Sequence, residues 1–430
     1  MKIIKDIYHL SRHLILSKTA ISTYVIFSGN ITSAFLAFLF TVILVRKLSF
    51  ADFGYFSALF SLVLLVSDLA DIGIGSSLSA FLPPLEKTKE IMYKFLKSAF
   101  LLQFGIVSVI TLILIIFSSQ LSAFLFHTEL LTGLLNITAL CIFCTVIANF
   151  SLYALSARQK FFHAAFLSFY SSFARLLVLL FLILFSSVNL NNVVVFQFFG
   201  LFTYSIIAII FLNPSFIKAK IDTAQMKNLI SFTYLLGLAR GLTALASRLD
   251  VLMIVALRGP TEAGIYAIAA RIVQIFPLLS GSFATVVAPK LSSFKEHGEV
   301  KKFILKVIFF TSILILGIII LTIFADAFMQ ILFSDKGQLS SSVFQLLLIS
   351  MIFFVGSIPA VTLAVYYLKK PHILTLNAVL QLIIVLVGNF YFIPIYGRFG
   401  AAYSLIIAYS LTLFLTSALT YYYFRRKHAR

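Results

Sequence analysis

Apolar runs of roughly 20 residues recur from Thr19 to Tyr423 with only short breaks between them, and each is long enough to cross the hydrocarbon layer of a membrane as a helix. Lipid offers no partner to a backbone N–H or C=O, so a chain built of such runs must satisfy its peptide groups inside helices. Only 11% of the residues are charged and 61% are hydrophobic, too few polar side chains to cover a soluble domain of 430 residues. The sequence describes an all-α integral membrane protein without a soluble domain. A single-span anchor carrying an enzyme is excluded.

Twelve spans are expected, near 19–45, 54–80, 95–117, 134–156, 164–186, 193–212, 232–257, 264–288, 304–325, 341–366, 372–392 and 399–423. An even number puts both termini on one side, and alternate connectors carry 24 of the 33 basic residues. The positive-inside rule makes that side the cytoplasm. Arg46, Lys47, Arg258, Lys336 and Arg398 lie on the opposite connectors. The formal charge of +19 is thus mostly topological: it is spread over connectors that flank lipid and attract anionic head groups, a pattern that argues against nucleic acid as a partner. The basic N-terminal stretch "MKIIKDIYHLSRHLILSK" lacks the small-residue cleavage site of a removable signal peptide.

The stretch "LSFADFGYFSALF" at 48–60 has a counterpart, "RGPTEAGIYAIAA", at 258–270. With Gly54 set on Gly264 the offset is 210 residues, about half the chain. An offset across six spans keeps the orientation, so it describes a parallel repeat. The expected organisation is a six-helix bundle over 1–212, a cytoplasmic linker over 213–231 and a second six-helix bundle over 232–430, around a central cavity where alternating access exposes a substrate path. Pro277 and Pro359 fall within spans and mark helix breaks, whereas Pro83, Pro84, Pro289 and Pro394 fall at span ends. No P-loop, HExxH or nucleophile elbow is present, and the opposite connectors are all short. No catalytic residue, metal site or cofactor is expected.

Arg175, Arg240, Arg248 and Arg271 fall inside apolar segments, where an unpaired guanidinium costs at least ~2.5 kcal/mol. Arg240 and Arg248 are eight residues apart on one expected helix, ~12 Å along its axis and ~80° around it, so both can face one cavity at two depths. Two readings follow. The four arginines can bind phosphate, for which the planar guanidinium fork is suited, or they can be neutralised internally, Asp250 being the obvious partner of Arg248. Gly237 and Gly241 form a small-xxx-small pair that lets another helix approach closely.

Asp68 and Asp71 lie one turn apart in "VSDLADIGIG". Two buried carboxylates so close raise one another's pKa, as a proton-coupled carrier requires; alternatively, they neutralise arginines from other helices. Gln103, Asn377, Gln381 and Asn389, among other amides within spans, are expected to tie helices together. Cys141 and Cys144 form a CxxC on one helix, and without further ligands they read as packing residues.

The pair "LVRKLSFADFGYFSALFSLVLLVSDLADIGIGSSL" and "SRLDVLMIVALRGPTEAGIYAIAARI", with the twelve-span layout, resembles the Wzx-type polysaccharide flippases of the multidrug/oligosaccharidyl-lipid/polysaccharide (MOP) exporter superfamily. The resemblance implies transport of an undecaprenyl-diphosphate-linked oligosaccharide repeat unit, such as that of O-antigen lipopolysaccharide, across the bacterial inner membrane, coupled to an ion gradient. It implies a MATE-like fold with a cationic cavity. Arg175, Arg240, Arg248 and Arg271 would attract the diphosphate, with Asp68, Asp71 and Asp250 as candidates for ion coupling. Other proteins of polysaccharide assembly would be partners. Three alternatives stay open: a flippase for a lipid-linked peptidoglycan precursor, a cation-coupled multidrug exporter of the same superfamily and, from another class, a membrane polysaccharide polymerase. The drug exporter would need an interior richer in acid, the polymerase a large external loop.

Overall fold

The computed structural model describes residues 18–221, 223–294 and 297–428, leaving aside some side chains within helices, Arg240 among them. The basic stretch before Lys18 lies outside the described residues. The described residues form helices throughout. In chain order they are α1 (Lys18–Lys47), α2 (Phe50–Asp71), α3 (Ile74–Leu85), α4 (Lys89–Ile116), α5 (Ser118–Phe126), α6 (Thr132–Ala157), α7 (Phe161–Phe185), α8 (Leu190–Leu212), α9 (Thr223–Arg258), α10 (Pro260–Val273), α11 (Ile275–Ser293), α12 (His297–Ile323), α13 (Ala325–Phe333), α14 (Asp335–Gly356), α15 (Ile358–Thr362), α16 (His372–Tyr396) and α17 (Arg398–His428). Among the described residues 11 segments are long and apolar enough to cross a membrane. The helix α9, over the seventh expected span, brings the chain into line with twelve.

The span expected over 54–80 is not one helix. α2 ends at Asp71 and α3 starts at Ile74. Between them Ile72 has φ 42 and Gly73 φ 78, and a β-branched residue in the left-handed region is strained. Three contacts hold the break. The Gly75 N–H donates to Asp71 Oδ1 at 3.0 Å, Gln103 Nε2 donates to the Ala70 carbonyl at 2.9 Å, and Gly237 on α9 lies so close that a Cβ there would stand 2.5 Å from the Ile72 carbonyl carbon. The small residue at 237 thus admits close helix approach, as expected.

Pro277 and Pro359 act as their positions predict. Proline offers no N–H to the carbonyl four residues back. α10 ends at Val273, four before Pro277, and α14 at Gly356, three before Pro359. A short π-turn over 363–367 follows, in which the Leu368 N–H reaches the Leu363 carbonyl at 3.0 Å.

Element order repeats along the chain. The nine-residue helices α5 and α13 lie 207 residues apart, and α7 and α16, 25 residues each, lie 211 apart. The chain packs as two compact units: 1–41 with 66–119 and 130–240, and 42–65 with 120–129 and 241–430. In the first, α6 packs against α3, α4, α7 and α8. In the second, its repeat equivalent α14 packs against α10, α12, α13 and α17. α6 is buried over most of its length, from Leu134 to Ala157, as packing among other helices requires.

The paired glycines of the sequence repeat meet within the second unit. A Cβ on Gly54 would stand 1.8 Å from the Pro260 carbonyl oxygen, and one on Gly264 2.0 Å from that of Phe50. α2 and α10 thus cross backbone to backbone at equivalent points of the repeat, a distance that only small residues allow.

Candidate functional site

The second unit holds three of the sequence-derived site residues, Arg248 and Asp250 on α9 and Arg271 on α10. Asp250 accepts hydrogen bonds from Tyr266 Oη at 2.6 Å and from the Val251 N–H at 2.8 Å. Tyr266 is fully buried, and a phenol in that position needs an acceptor. Tyr409 on α17 stands within electrostatic reach of Asp250 and is hydrogen-bonded to Gln381 on α16. The carboxylate expected to neutralise Arg248 is therefore engaged mainly by a tyrosine. Arg248 lies near enough for its charge to be felt by Asp250, behind the hydrogen bonds from Tyr266 and Val251. Arg248 Nε is buried and makes no hydrogen bond among the described residues.

Arg271 sits in the last turn of α10, half-buried. Its guanidinium lies over the Phe60 ring, 4.5 Å from the centroid. Nothing in the sequence pairs these two residues, 211 positions apart. Arg240 belongs to α9, but its side chain is outside the described residues.

In the first unit Arg175 is half-buried on α7, with Tyr204 and Cys141 in its electrostatic surroundings. Cys141 and Cys144 are buried free thiols, in keeping with packing residues. Asp68 and Asp71 differ from the expectation of two buried carboxylates. Asp68 is exposed, and half-buried Asp71 accepts from the Gly75 N–H in the first turn of α3. The helix break turns the chain between them and the segment beyond, and an orphan N–H at a helix start takes the nearest carboxylate. Gln103 bonds across helices as expected. Asn377 Nδ2 does so too, donating to Thr416 Oγ1.

Four of the five basic residues on the opposite connectors have structural roles. Arg46 donates to the Leu332 and Ile331 carbonyls at 2.9 and 3.0 Å, the C-terminus of α13. Lys336 donates to the Val45 carbonyl at 2.8 Å and to that of Leu48, at the C-terminus of α1. Arg258 reaches the Ile393 and Ile395 carbonyls, both at 3.2 Å, and that of Pro394. Arg398 pairs with Glu262 at 2.5 Å. The last carbonyls of a helix have no intrahelical donor and carry a partial negative charge, so cations suit them. On the cytoplasm-assigned connectors, Arg158 grips Glu86 and the Leu212 carbonyl. The ammonium of neighbouring Lys160 is held below the usual lysine range, first by burial and then by the Arg158 charge.

A family model described as "Polysaccharide biosynthesis protein" matches residues 20–295, well over half the chain. The chain belongs to the polysaccharide biosynthesis protein family. No curated protein sequence matches it. Among solved structures, this family member is similar to the lipid II flippase MurJ in an inward closed conformation, at 18% identity and TM-score 0.72, over 91% of this chain and 86% of that one. It is similar to an inward-facing multidrug resistance MATE family transporter of the MOP superfamily, at 13% identity and TM-score 0.74, over 91% and 95%. A MOP superfamily transporter from Pyrococcus furiosus, described as having reversed binding-pocket polarity, follows at 11% identity and TM-score 0.58, over 94% and 93%. At such identities the likeness concerns the fold alone, a MATE- and MurJ-like fold, as the resemblance of the sequence to the flippases implied.

Proposed function

We propose that this family member is a flippase that moves a polyprenyl-diphosphate-linked oligosaccharide repeat unit across the bacterial cytoplasmic membrane by alternating access, with both termini in the cytoplasm. The observation that carries the reading is Arg248. Its Nε is buried without a hydrogen bond among the described residues, while Asp250 is taken by Tyr266 and the Val251 N–H. A guanidinium in an apolar span whose Nε has no hydrogen bond among the described residues is matched to an anionic guest, and a diphosphate accepts its donors in pairs. Arg175, Arg240 and Arg271 contribute further positive charge. Asp68, Asp71 and Asp250 are the groups available to couple movement to an ion gradient, and other polysaccharide assembly proteins are partners in this reading.

The fold shared with the lipid II flippase favours one second reading, a lipid-linked peptidoglycan precursor, which carries the same diphosphate. Both readings are tested together in proteoliposomes. A lipid-linked O-antigen unit and lipid II are supplied separately, and appearance of each in the opposite leaflet is followed. Arg248→Ala and Arg240→Ala are expected to lower the rate ~10-fold or more at equal protein level, on the scale of a lost charge-assisted hydrogen bond. Arg248→Lys should recover part of it. Full rates in both alanine variants would sink the assignment, and the substrate that moves decides between the two readings.

A further inference from the structure

The second span of each half is broken, and the two breaks are made differently. α10 ends at Val273 and α11 starts at Ile275, just ahead of Pro277, a break written into the chain because proline has no N–H to return to the preceding turn. The break between α2 and α3 has no proline nearer than Pro83. It leaves Ile72 at φ 42 and Gly73 at φ 78, a conformation that is costly for a β-branched residue. Two side chains take the places of helical backbone groups. In a continuous helix the Ala70 carbonyl would accept from the Ile74 N–H; here it accepts from Gln103 Nε2 at 2.9 Å. The Gly75 N–H would reach the Asp71 carbonyl; here it donates to Asp71 Oδ1 at 3.0 Å. Gln103 is 2% exposed, and its Oε1 has no hydrogen bond among the described residues. Against the Ile72 carbonyl stands Gly237 of α9, where any side chain would collide.

We infer that Ile72 and Gly73 form a two-state joint: α2 and α3 rejoin as one helix at another stage of the transport cycle, and the left-handed turn is its bent state. Residues 42–65 pack with the second unit and 66–119 with the first, so α2 runs through both. Any movement of one unit against the other must be taken up in such helices. The joint lies seven residues past that crossing, within the first unit together with Gln103 and Gly237. Both backbone groups at the break keep a hydrogen bond in either state, while rejoining relieves the strain at Ile72. Bent and straight forms are thereby close enough in energy for a cycle to use both. Rejoining also moves the Asp71 carboxylate off the Gly75 N–H, which ties the shape of the helix to a group named above for ion coupling. The joint presupposes alternating access and no particular lipid-linked substrate.

The test is an electron–electron distance between nitroxides at Lys47→Cys and Lys87→Cys, exposed positions on either side of the joint, in the full chain in lipid nanodiscs. Cys141 and Cys144 are buried and stay unlabelled. Straightening lengthens this distance. Gly73→Ala, which puts a Cβ on a left-handed residue, is expected to raise the ratio of long to short distances ~5- to 30-fold, the range set by that conformation. Ile72→Gly, at ease in the left-handed region, should lower the ratio. Gln103→Leu removes the substitute donor and should act in the direction of Gly73→Ala, taking its place if that variant does not fold. A static break would instead give Gly73→Ala and Gln103→Leu a lower unfolding temperature with the distance unchanged. That result, or shifts of one sign in Gly73→Ala and Ile72→Gly, overturns the joint. The expected shifts in a protein that flips neither lipid-linked unit support the joint and count against the proposed function.

Discussion

At the scale of single residues, the decisive arrangement is the separation of Arg248 from Asp250. Two residues apart on α9, they offer the simplest neutralisation in the sequence, but residues i and i+2 of a helix point to different faces. Tyr266 on α10 takes the carboxylate instead. Tyr266→Phe should therefore lower stability by ~1–3 kcal/mol, the scale of leaving a buried acceptor short of a donor, while Asp250→Asn should be milder because the amide oxygen still accepts from the phenol. Thermal unfolding of the purified variants measures both. The glycines supply a sharper contrast. Gly54→Ala and Gly264→Ala force a carbonyl away from 1.8 and 2.0 Å and should destabilise by ~1–3 kcal/mol or more. Gly105→Ala and Gly317→Ala, with nothing within 4 Å, should be neutral or stabilising by up to ~1 kcal/mol. Similar losses at all four sites would refute the close crossing.

At the scale of elements, charge at helix ends explains the basic residues that break the topological rule. Arg46 caps α13 while Lys336, at the start of α14, caps α1, so two helix C-termini are exchanged between cations from each other's neighbourhood. Arg258 does the same for α16. Lys336→Met keeps the stem and removes the donors. It should cost ~1–2 kcal/mol of stability and raise amide exchange over Val45–Leu48 relative to the rest of α1, as read by hydrogen-exchange mass spectrometry. Unchanged exchange there would remove the capping role. Proline marked the breaks near Val273 and Gly356 in the sequence itself. The break at Ile72 and Gly73 had no such signal, because it is held by Gln103 and Gly237 from α4 and α9, distant in the chain.

For the whole molecule, the offset read from two short motifs recurs in the order of the helices and in the lengths of the pairs α5 with α13 and α7 with α16. The orientation in the membrane is a direct prediction. In intact cells an impermeant maleimide should label Lys47→Cys and leave Lys301→Cys unlabelled, with low background because Cys141 and Cys144 are buried. The reverse pattern would invert the topology. The legible part of the fold was the part encoded locally: span length, proline breaks, and the glycines on which the two motifs align. Of the candidate site, the four arginines and Asp250 were legible as charges out of place in apolar runs. Their partners were not.

What the sequence by itself determined is membership in the membrane and the approximate number and order of the spans, because hydropathy and span length act over stretches of neighbouring residues. Which carboxylate meets which cation, that Phe60 underlies Arg271, that Asp71 caps a helix and that Val42–Leu65 packs with the second unit were decided only in the tertiary structure. These contacts join residues from 4 to more than 200 positions apart. Their energies depend on distances of a few ångströms and on the turn of a helix face, which periodicity and composition leave open.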